Sequence, residues 1–334
     1  MKKNAIFVDF DVNDNWGFIK GINLVSKEKY CVEKCISNSK HKYFFQRFIR
    51  YYKYFSFSFK KFLCRKKYSS IISWQQFYGL FLAFFLVIFN RKNGPQITIL
   101  NFIYKKKKGI IGKVYYHFVK CALKYKNINK ICVLSSNEIP YYESIFCFLN
   151  RKFVFCKIGI DDKSEYEIEA KKGDYFVSAG RSNRDYNFLI DVFSKTKEKL
   201  YILSDTYKRN DLPKNILIFD NCFNEDYERM VANSLAAVIS LDDVPISSGQ
   251  LFALNAFKYK KPVIATRHPG INDYISDGID GFLVNKNIDE FIIALKKLRD
   301  PNIYNSLCTN AKKYTSIDYG KSVAQVINEN ITKD

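Results

Sequence analysis

The chain has 334 residues, of which 47% are hydrophobic and 26% charged, a composition typical of folded domains that argues against a disordered chain. This length favours two domains. The net charge of +21 lies in the first half of the chain: residues 1–160 carry 30 Lys or Arg against 7 Asp or Glu, whereas residues 161–334 carry 24 against 26. Nine cysteines and three histidines show no metal-ligand spacing and nothing after Met1 resembles a signal peptide, so we expect reduced thiols, no metal site and a cytoplasmic protein.

In the basic half, short β-rich runs alternate with helical stretches, which is typical of a parallel sheet covered by helices. The predicted strands are Ala5–Phe10, Ser69–Trp74, Ile97–Ile103, Lys130–Leu134 and Lys152–Lys157. The predicted helices are Phe77–Phe89, Gly112–Tyr125 and Glu138–Leu149. The first of these helices is apolar throughout, but its 13 residues are fewer than the roughly 20 that span a bilayer. A buried helix is therefore favoured over one embedded in a membrane interface.

The segment Lys42–Tyr68 is both basic and aromatic, with nine Lys or Arg, twelve Phe or Tyr and no acidic residue. Lys105–Lys108 forms a second basic cluster. Three interpretations fit: an anionic membrane surface, nucleic acid, or a solvated helix with an apolar core face.

A second domain is predicted after a polar, acidic stretch at Asp161–Asp174, which places the domains at 1–160 and 161–334. Its predicted strands are Tyr175–Ala179, Leu200–Leu203, Ile216–Phe219, Ala236–Leu241 and Pro262–Thr266, and its predicted helices include Asn183–Thr196 and Asp289–Arg299. We therefore expect an α/β fold of two doubly wound domains facing a cleft, with ligands at the carboxyl ends of the strands.

The turn Ser247-Ser248-Gly249-Gln250 follows a predicted strand and opens a helix. A helix N-terminus presents unpaired N–H groups and a partial positive charge, and Gly249 lacks a side chain that would block a phosphate. An ordinary N-cap at Ser247 or Ser248 explains the same residues equally well.

Three further blocks accompany this turn: Ala179-Gly180-Arg181, Lys261-Pro262-Val263-Ile264-Ala265, and Asp277-Gly278-Ile279-Asp280-Gly281-Phe282-Leu283-Val284. Together they resemble the C-terminal domain of the retaining glycosyltransferases of family 4, over roughly residues 174–300. The resemblance implies a GT-B fold of two Rossmann-like domains, a nucleotide-diphosphate sugar donor (UDP- or GDP-linked), no metal or further cofactor, and transfer with retention. The final helix of such a chain is expected to pack back on the first domain.

The resemblance also implies donor-binding residues. Arg181 and Arg184, beside Gly180, would bind the donor phosphates through forked hydrogen bonds, and Gly249 and Gln250 would donate backbone N–H groups.

Two glutamates spaced eight apart, typical of the family, are replaced here by Ser247 and Asn255. Asn255 can still hydrogen-bond a ribose, whereas Ser247 is too short to copy the first glutamate. Either Asp242 or Asp243 substitutes for it, or the donor sugar is held differently.

In the first half, Gly17 and Gly21 are candidates for approaching the donor, with turn formation as the alternative. His117 lies in a predicted helix, where a packed or surface role is favoured over catalysis, and no general base is assigned.

With a sugar-nucleotide domain attached, Lys42–Tyr68 is expected to contact an anionic membrane, and no nucleic acid is expected. The prediction is a glycosyltransferase, peripheral on the inner face of the cell membrane, that acts on a lipid-linked or saccharide acceptor of a surface glycan. The alternatives are a catalytically degenerate partner subunit, suggested by Ser247 and Asn255, and a basic nucleic-acid-binding protein.

Overall fold

The structure is a computed structural model that describes residues 2–13, 15–36, 44–90, 93–149, 152–161, 166–242 and 246–329. The chain forms two compact units. The first comprises Met1–Cys156 together with Ser316–Asp334, and the second comprises Lys157–Thr315. The first unit thus takes in the end of the chain, whose final helix the resemblance expects to pack back on the first domain.

The first unit is built on a six-stranded sheet whose paired strands are all parallel, in the order β2-β1-β3-β4-β5-β6. The strands are β1 (Lys3–Val8), β2 (Tyr30–Lys34), β3 (Tyr68–Ser73), β4 (Gln96–Ile99), β5 (Ile128–Val133) and β6 (Phe153–Phe155). The helices are α1 (Gly17–Val25), α2 (Phe44–Leu63), α3 (Gln76–Ile88), α4 (Gly109–Leu123) and α5 (Glu138–Ile145), joined by α11 (Ser316–Asn328) from the chain end. Because parallel strands need helical crossovers, this alternation follows directly from the predicted pattern.

The apolar segment Phe77–Phe89 is a buried helix, as predicted. Most of α3 is buried, and aromatic side chains on either side of it pack against its phenylalanines: Phe55 of α2 lies 5.6 Å from Phe81, and Phe118 of α4 lies 4.9 Å from it between ring centroids. These helices therefore form one layer over the sheet, and part of the aromatic content of Lys42–Tyr68 serves this core.

The second unit also contains six strands whose pairings are all parallel, in the order β12-β11-β10-β7-β8-β9. They are β7 (Tyr175–Ala179), β8 (Lys199–Leu203), β9 (Ile216–Phe219), β10 (Ala236–Ile239), β11 (Val263–Thr266) and β12 (Gly281–Val284). The helices are α6 (Tyr186–Ser194), α7 (Asn224–Ala232), α8 (Gln250–Lys258), α9 (Ile288–Lys297) and α10 (Pro301–Asn310). Strands β7 and β10 are neighbours although two strands, β8 and β9, separate them in chain order, so the strand order reverses between them.

Several predicted boundaries need correction. The strand expected at Ile97–Ile103 stops at Ile99 because Asn101 has a φ of 51°, in the left-handed region that breaks a strand. Strand β2 is absent from the sequence predictions because its alternating polar residues, at one edge of the sheet, give a weak apolar signal. Helix α9 occupies nearly the predicted span.

Helix α11 packs on α1 through two glycines. A Cβ at Gly21 would lie 2.1 Å from the Ile317 carbonyl oxygen, and one at Gly320 would lie 2.2 Å from the Phe18 carbonyl oxygen. Neither helix tolerates a side chain at the crossing. Gly21, a candidate for donor contact from sequence, therefore has a packing role instead.

Candidate functional site

The loop after β7 and the turn after β10 meet at the reversal point of the second sheet. The Asp185 N–H donates to the Ser240 carbonyl oxygen over 3.0 Å, and Arg184 forms an isolated antiparallel bridge with Leu241. Ligands of doubly wound sheets bind in the crevice at this point, outside the carboxyl ends of the strands. The topology therefore brings together the two segments that sequence motifs had singled out separately.

Arg184 ties the two segments together. Its guanidinium donates to the carbonyl oxygens of Ala179 (3.0 Å) and Ser182 (2.9 Å), and to the Ser248 hydroxyl (2.7 Å), which itself donates to Ser182. Gly180 makes this possible, since its φ is 135° and a Cβ there would lie 2.6 Å from the Arg184 guanidinium.

Burial lowers the pKa of Arg184, and among the described residues no carboxylate forms an ion pair with it. Its positive charge is therefore held at the crevice by neutral acceptors. Such an arrangement suits an anionic ligand.

Arg181 is more exposed and has a carboxylate partner. Its side chain is 62% exposed and forms a forked pair with the Asp205 carboxylate, with both N–O distances at 2.7 Å. Asp205 lies just after β8, and no sequence motif had marked it. A phosphate at Arg181 would compete with this carboxylate, so the ion pair with Asp205 weakens the binding of an anion by Arg181.

Gly249 caps α8 in a left-handed conformation with a φ of 90°. A Cβ at this position would lie 2.8 Å from Ile271 and 3.3 Å from Ile239, both buried apolar residues. Glycine is thus required by the backbone conformation and the packing beneath the turn, independently of any phosphate. The N-terminus of α8 nevertheless carries the unpaired N–H groups of any first helical turn.

The side chains around this turn have distinct environments. Gln250 is buried and its amide donates to the Gly270 carbonyl oxygen, which fixes the turn against the loop after β11. Ser247 is also buried, at 8% exposure. Asp242 is exposed, and Asp243 lies outside the described residues. The replacement for the first family glutamate stays unassigned.

Asn255 faces Tyr227, a residue of α7 without a sequence motif. Burial raises the pKa of Tyr227 to about 12, against the opposing effect of a hydrogen bond with the Asn255 side chain and of the Arg184 charge. Tyr227 therefore neighbours both Arg184 and Asn255. No sequence motif predicts a role for this tyrosine, because only the packing of α7 on α8 brings it close to Asn255.

The other family blocks are structural. Lys261 is buried and donates to the Lys171 carbonyl oxygen at 2.6 Å. Asp277 accepts the Leu283 N–H at 2.9 Å and pairs with Arg267, and a Cβ at Gly281 would lie 2.2 Å from the Val263 carbonyl oxygen. These residues shape the turn into β12 and its close approach to β11.

In the first unit, Gly17 is buried and begins α1, directly after Trp16. Trp16 packs in an aromatic cluster with Phe18 and Trp74, at ring-centroid distances of 5.0 and 4.8 Å. His117 is exposed on α4, which agrees with the favoured surface role. Asp9, just beyond β1, accepts from Tyr54 at 3.0 Å, and no sequence pattern had marked it.

The described part of the chain has neither a metal-ligand cluster nor a membrane-spanning helix. No group of three or more His, Cys, Asp or Glu side chains is placed to hold a metal ion. No helix in the same residues is long and apolar enough to cross a membrane.

Comparison with known proteins defines the class. Residues 173–300 match the model of the family described as glycosyl transferases group 1. The match covers the segment that carries Gly180, Arg181, Arg184 and the Ser247–Gln250 turn. No curated protein matched the chain.

Solved structures match over the whole chain. A glycosyltransferase from Rickettsia africae is 14% identical with a TM-score of 0.65, and the match covers 100% of both chains. Anabaena HepE in complex with UDP is 12% identical with a TM-score of 0.66 over 99% of this chain and 100% of that one. WaaG, a glycosyltransferase involved in lipopolysaccharide biosynthesis, is 13% identical with a TM-score of 0.63 over 98% and 100%.

These similarities confirm the predicted fold: two α/β units on parallel six-stranded sheets, as in GT-B glycosyltransferases. The family match to the second unit, taken with this fold, supports a transferase enzyme of the glycosyltransferase class.

Proposed function

We propose that the protein transfers a sugar from a UDP- or GDP-linked donor, with retention of configuration and without a metal ion. One observation carries this proposal. Arg184 holds a desolvated positive charge beside the N-terminus of α8, at the strand-order reversal of the sheet, and no described carboxylate pairs with it. A diphosphate is the anion that this arrangement favours.

In this mechanism the protein stabilises the charge that develops on the leaving diphosphate. Arg184 and Arg181 would donate to phosphate oxygens, and the first N–H groups of α8, at Gln250, would complete the cradle. Because Arg184 is already oriented by hydrogen bonds within the unit, its reorganisation during the reaction is small, whereas Arg181 has to leave Asp205 to reach a phosphate. Asn255, held beside Tyr227, would hydrogen-bond the ribose. No general base is assigned.

We further propose a lipid-linked or saccharide acceptor in the synthesis of a surface glycan. Support comes from the fold shared with WaaG, whose description names lipopolysaccharide biosynthesis. The finer assignment to the retaining family 4 rests on the sequence blocks around Arg181, Ser247–Gln250 and Asp277–Val284.

The proposed place of action is the cytoplasmic face of the membrane, with contact through Lys42–Tyr68. Its described part forms α2, which exposes Phe48, Tyr52 and Phe55 at 59%, 70% and 43%. Exposed aromatic rings beside basic side chains suit the headgroup region of an anionic bilayer.

The donor is tested by thermal unfolding in the presence of UDP, GDP and ADP and of their sugars. A ligand at about 100 times its Kd stabilises the folded state by about 2.7 kcal/mol, so the correct nucleotide should give a clear rise in Tm. No shift with any nucleoside diphosphate would overturn the proposed site.

Turnover is tested separately, by incubating the protein with the stabilising nucleotide sugar and saccharide acceptors in the presence of EDTA. NMR of the product should show the anomeric configuration of the donor. An inverted product would refute retention, and loss of activity in EDTA would refute metal independence. Saturable donor binding without any transfer or hydrolysis would favour the degenerate partner subunit.

Membrane contact is tested by sedimentation with vesicles of mixed anionic and neutral lipid. A Phe48→Ser, Tyr52→Ser variant should bind less than the wild type, since both rings are exposed. Salt-sensitive binding to oligonucleotides with no binding to vesicles would instead support the nucleic-acid alternative.

A further inference from the structure

A cavity of about 590 Å³ lies in the second unit at the amino ends of its strands, away from the Arg181–Arg184 loop. Lys172 in its wall shortly precedes β7, and Lys260 and Lys261 directly precede β11. Five of its eleven lining residues are lysines: Lys172, Lys258, Lys260, Lys261 and Lys313. None of the eleven is acidic. This concentration of charge is local, because residues 161–334 carry 24 basic against 26 acidic residues.

Lys261 is the most buried of these lysines, with 3% of its surface exposed. Its ammonium donates to one recorded acceptor, the Lys171 carbonyl oxygen at 2.6 Å, although an ammonium group has three donors. Burial, with a smaller contribution from the neighbouring Lys172 charge, lowers its pKa to about 8. A buried ammonium without a counter-charge is costly, and an anion would relieve that cost.

Among the described residues, no carboxylate forms an ion pair with Lys172 or Lys260. The Lys172 ammonium lies 4.1 Å from the Tyr304 ring centroid, and Lys260 donates to the Ala311 carbonyl oxygen at 3.3 Å. Lys258, by contrast, pairs with Glu228 at 3.3 Å.

These three lysines line the same cavity as Cys308. Burial raises the pKa of the Cys308 thiol, and the charges of Lys261, Lys172 and Lys260 each oppose that shift. The three charges therefore act on one part of the cavity.

We propose that this cavity binds a small, multiply phosphorylated anion. Several phosphates match several ammonium groups at short range, and the cavity volume falls within the range of small-molecule sites. The site is separate from the proposed donor site, so anion binding here can be tested independently of sugar transfer.

The test is calorimetric titration of the full-length protein with inorganic tripolyphosphate at pH 8, with UDP present at saturation. Wild-type protein should bind saturably. Lys261→Met and Lys172→Met should each weaken binding at least tenfold, whereas Lys195→Met, an exposed lysine of the same unit outside the cavity, should leave it within twofold. Loss of wild-type binding when UDP is added would place the anion at the donor site and overturn the proposal.

A second readout separates Lys261 from general charge attraction. Binding should raise the pKa of Lys261, so titrations in buffers of different ionisation enthalpy should show proton uptake that Lys261→Met abolishes.

The variant Lys260→Met tests the site at an exposed position if Lys261→Met fails to fold. Absence of saturable binding, or equal affinity in wild-type protein and in the Lys172→Met and Lys260→Met variants, would refute the site.

Discussion

Replacing Arg184 with methionine should remove donor binding while leaving the fold in place. The substitution loses three hydrogen bonds, to Ala179, Ser182 and Ser248, each contributing about 0.5–1.5 kcal/mol to stability. Removing a desolvated charge offsets part of this loss, so we expect the free energy of unfolding to fall by no more than about 2 kcal/mol.

Donor binding should respond more strongly. A hydrogen bond to a charged group contributes about 1.5–3 kcal/mol, and loss of the Arg184 contacts to phosphate should cost about 2–4 kcal/mol, or roughly 30- to 1000-fold in Kd. Arg184→Lys keeps the positive charge without the forked geometry, so its affinity for the nucleotide should lie between those of the wild type and Arg184→Met.

The assay is calorimetric titration with the nucleoside diphosphate that gives the largest thermal shift. Arg299→Met is the matched control, since Arg299 pairs with Glu198, which immediately precedes β8 at the amino ends of the strands. Its affinity should stay within twofold of the wild type. If Arg184→Met bound the nucleotide within threefold of the wild type, the placement of the diphosphate would be wrong.

Three other predictions concern stability, measured by urea unfolding. Gly249→Ala should destabilise the second unit by about 1–3 kcal/mol, because φ is 90° and the new Cβ would lie 2.8 Å from Ile271; an unchanged midpoint would show that the turn is not strained in this way. Gly320→Ala should destabilise the first unit by a similar amount through its contact with the Phe18 carbonyl, whereas Gln325→Ala, an exposed site on α11, should change little. Lys261 has a folded-state pKa of about 8, below its unfolded value, so the unfolded state binds more protons between pH 8 and about 10.5. Stability should therefore rise with pH across this range, by on the order of 3 kcal/mol relative to a Lys261→Met variant, and parallel pH profiles for the two proteins would contradict the assignment.

The alternation of apolar strands and amphipathic helices determined most of the architecture. Strands β7 and β9 have the predicted bounds, Tyr175–Ala179 and Ile216–Phe219, because both are short apolar runs with polar residues on each side, although β9 is an edge strand that is only partly buried. The edge strand β2 escaped prediction because polar residues interrupt its apolar ones. An uninterrupted apolar run thus reveals a strand even at the edge of a sheet.

Sequence motifs predicted only part of the candidate donor site. Motifs selected Arg181, Arg184 and the turn at Ser247–Gln250, since phosphate-binding chemistry uses glycines and arginines at recognisable positions. They did not select Asp205 or Tyr227, which lie on other elements and act through contacts with Arg181 and Asn255.

The sequence by itself therefore determined the elements of this protein, the two-part division of its charge and the motif residues of one candidate site. Only the tertiary structure decided that Arg184 reaches Ser248 across 64 positions of chain, and that the final helix, expected on the first domain, packs on α1 through Gly21 and Gly320. The physical reason is that burial and turn chemistry are properties of neighbouring residues. Strand order and helix crossing, by contrast, depend on which surfaces from distant parts of the chain fit each other. The crossing of α1 and α11, for example, requires that Gly21 and Gly320 have no side chain.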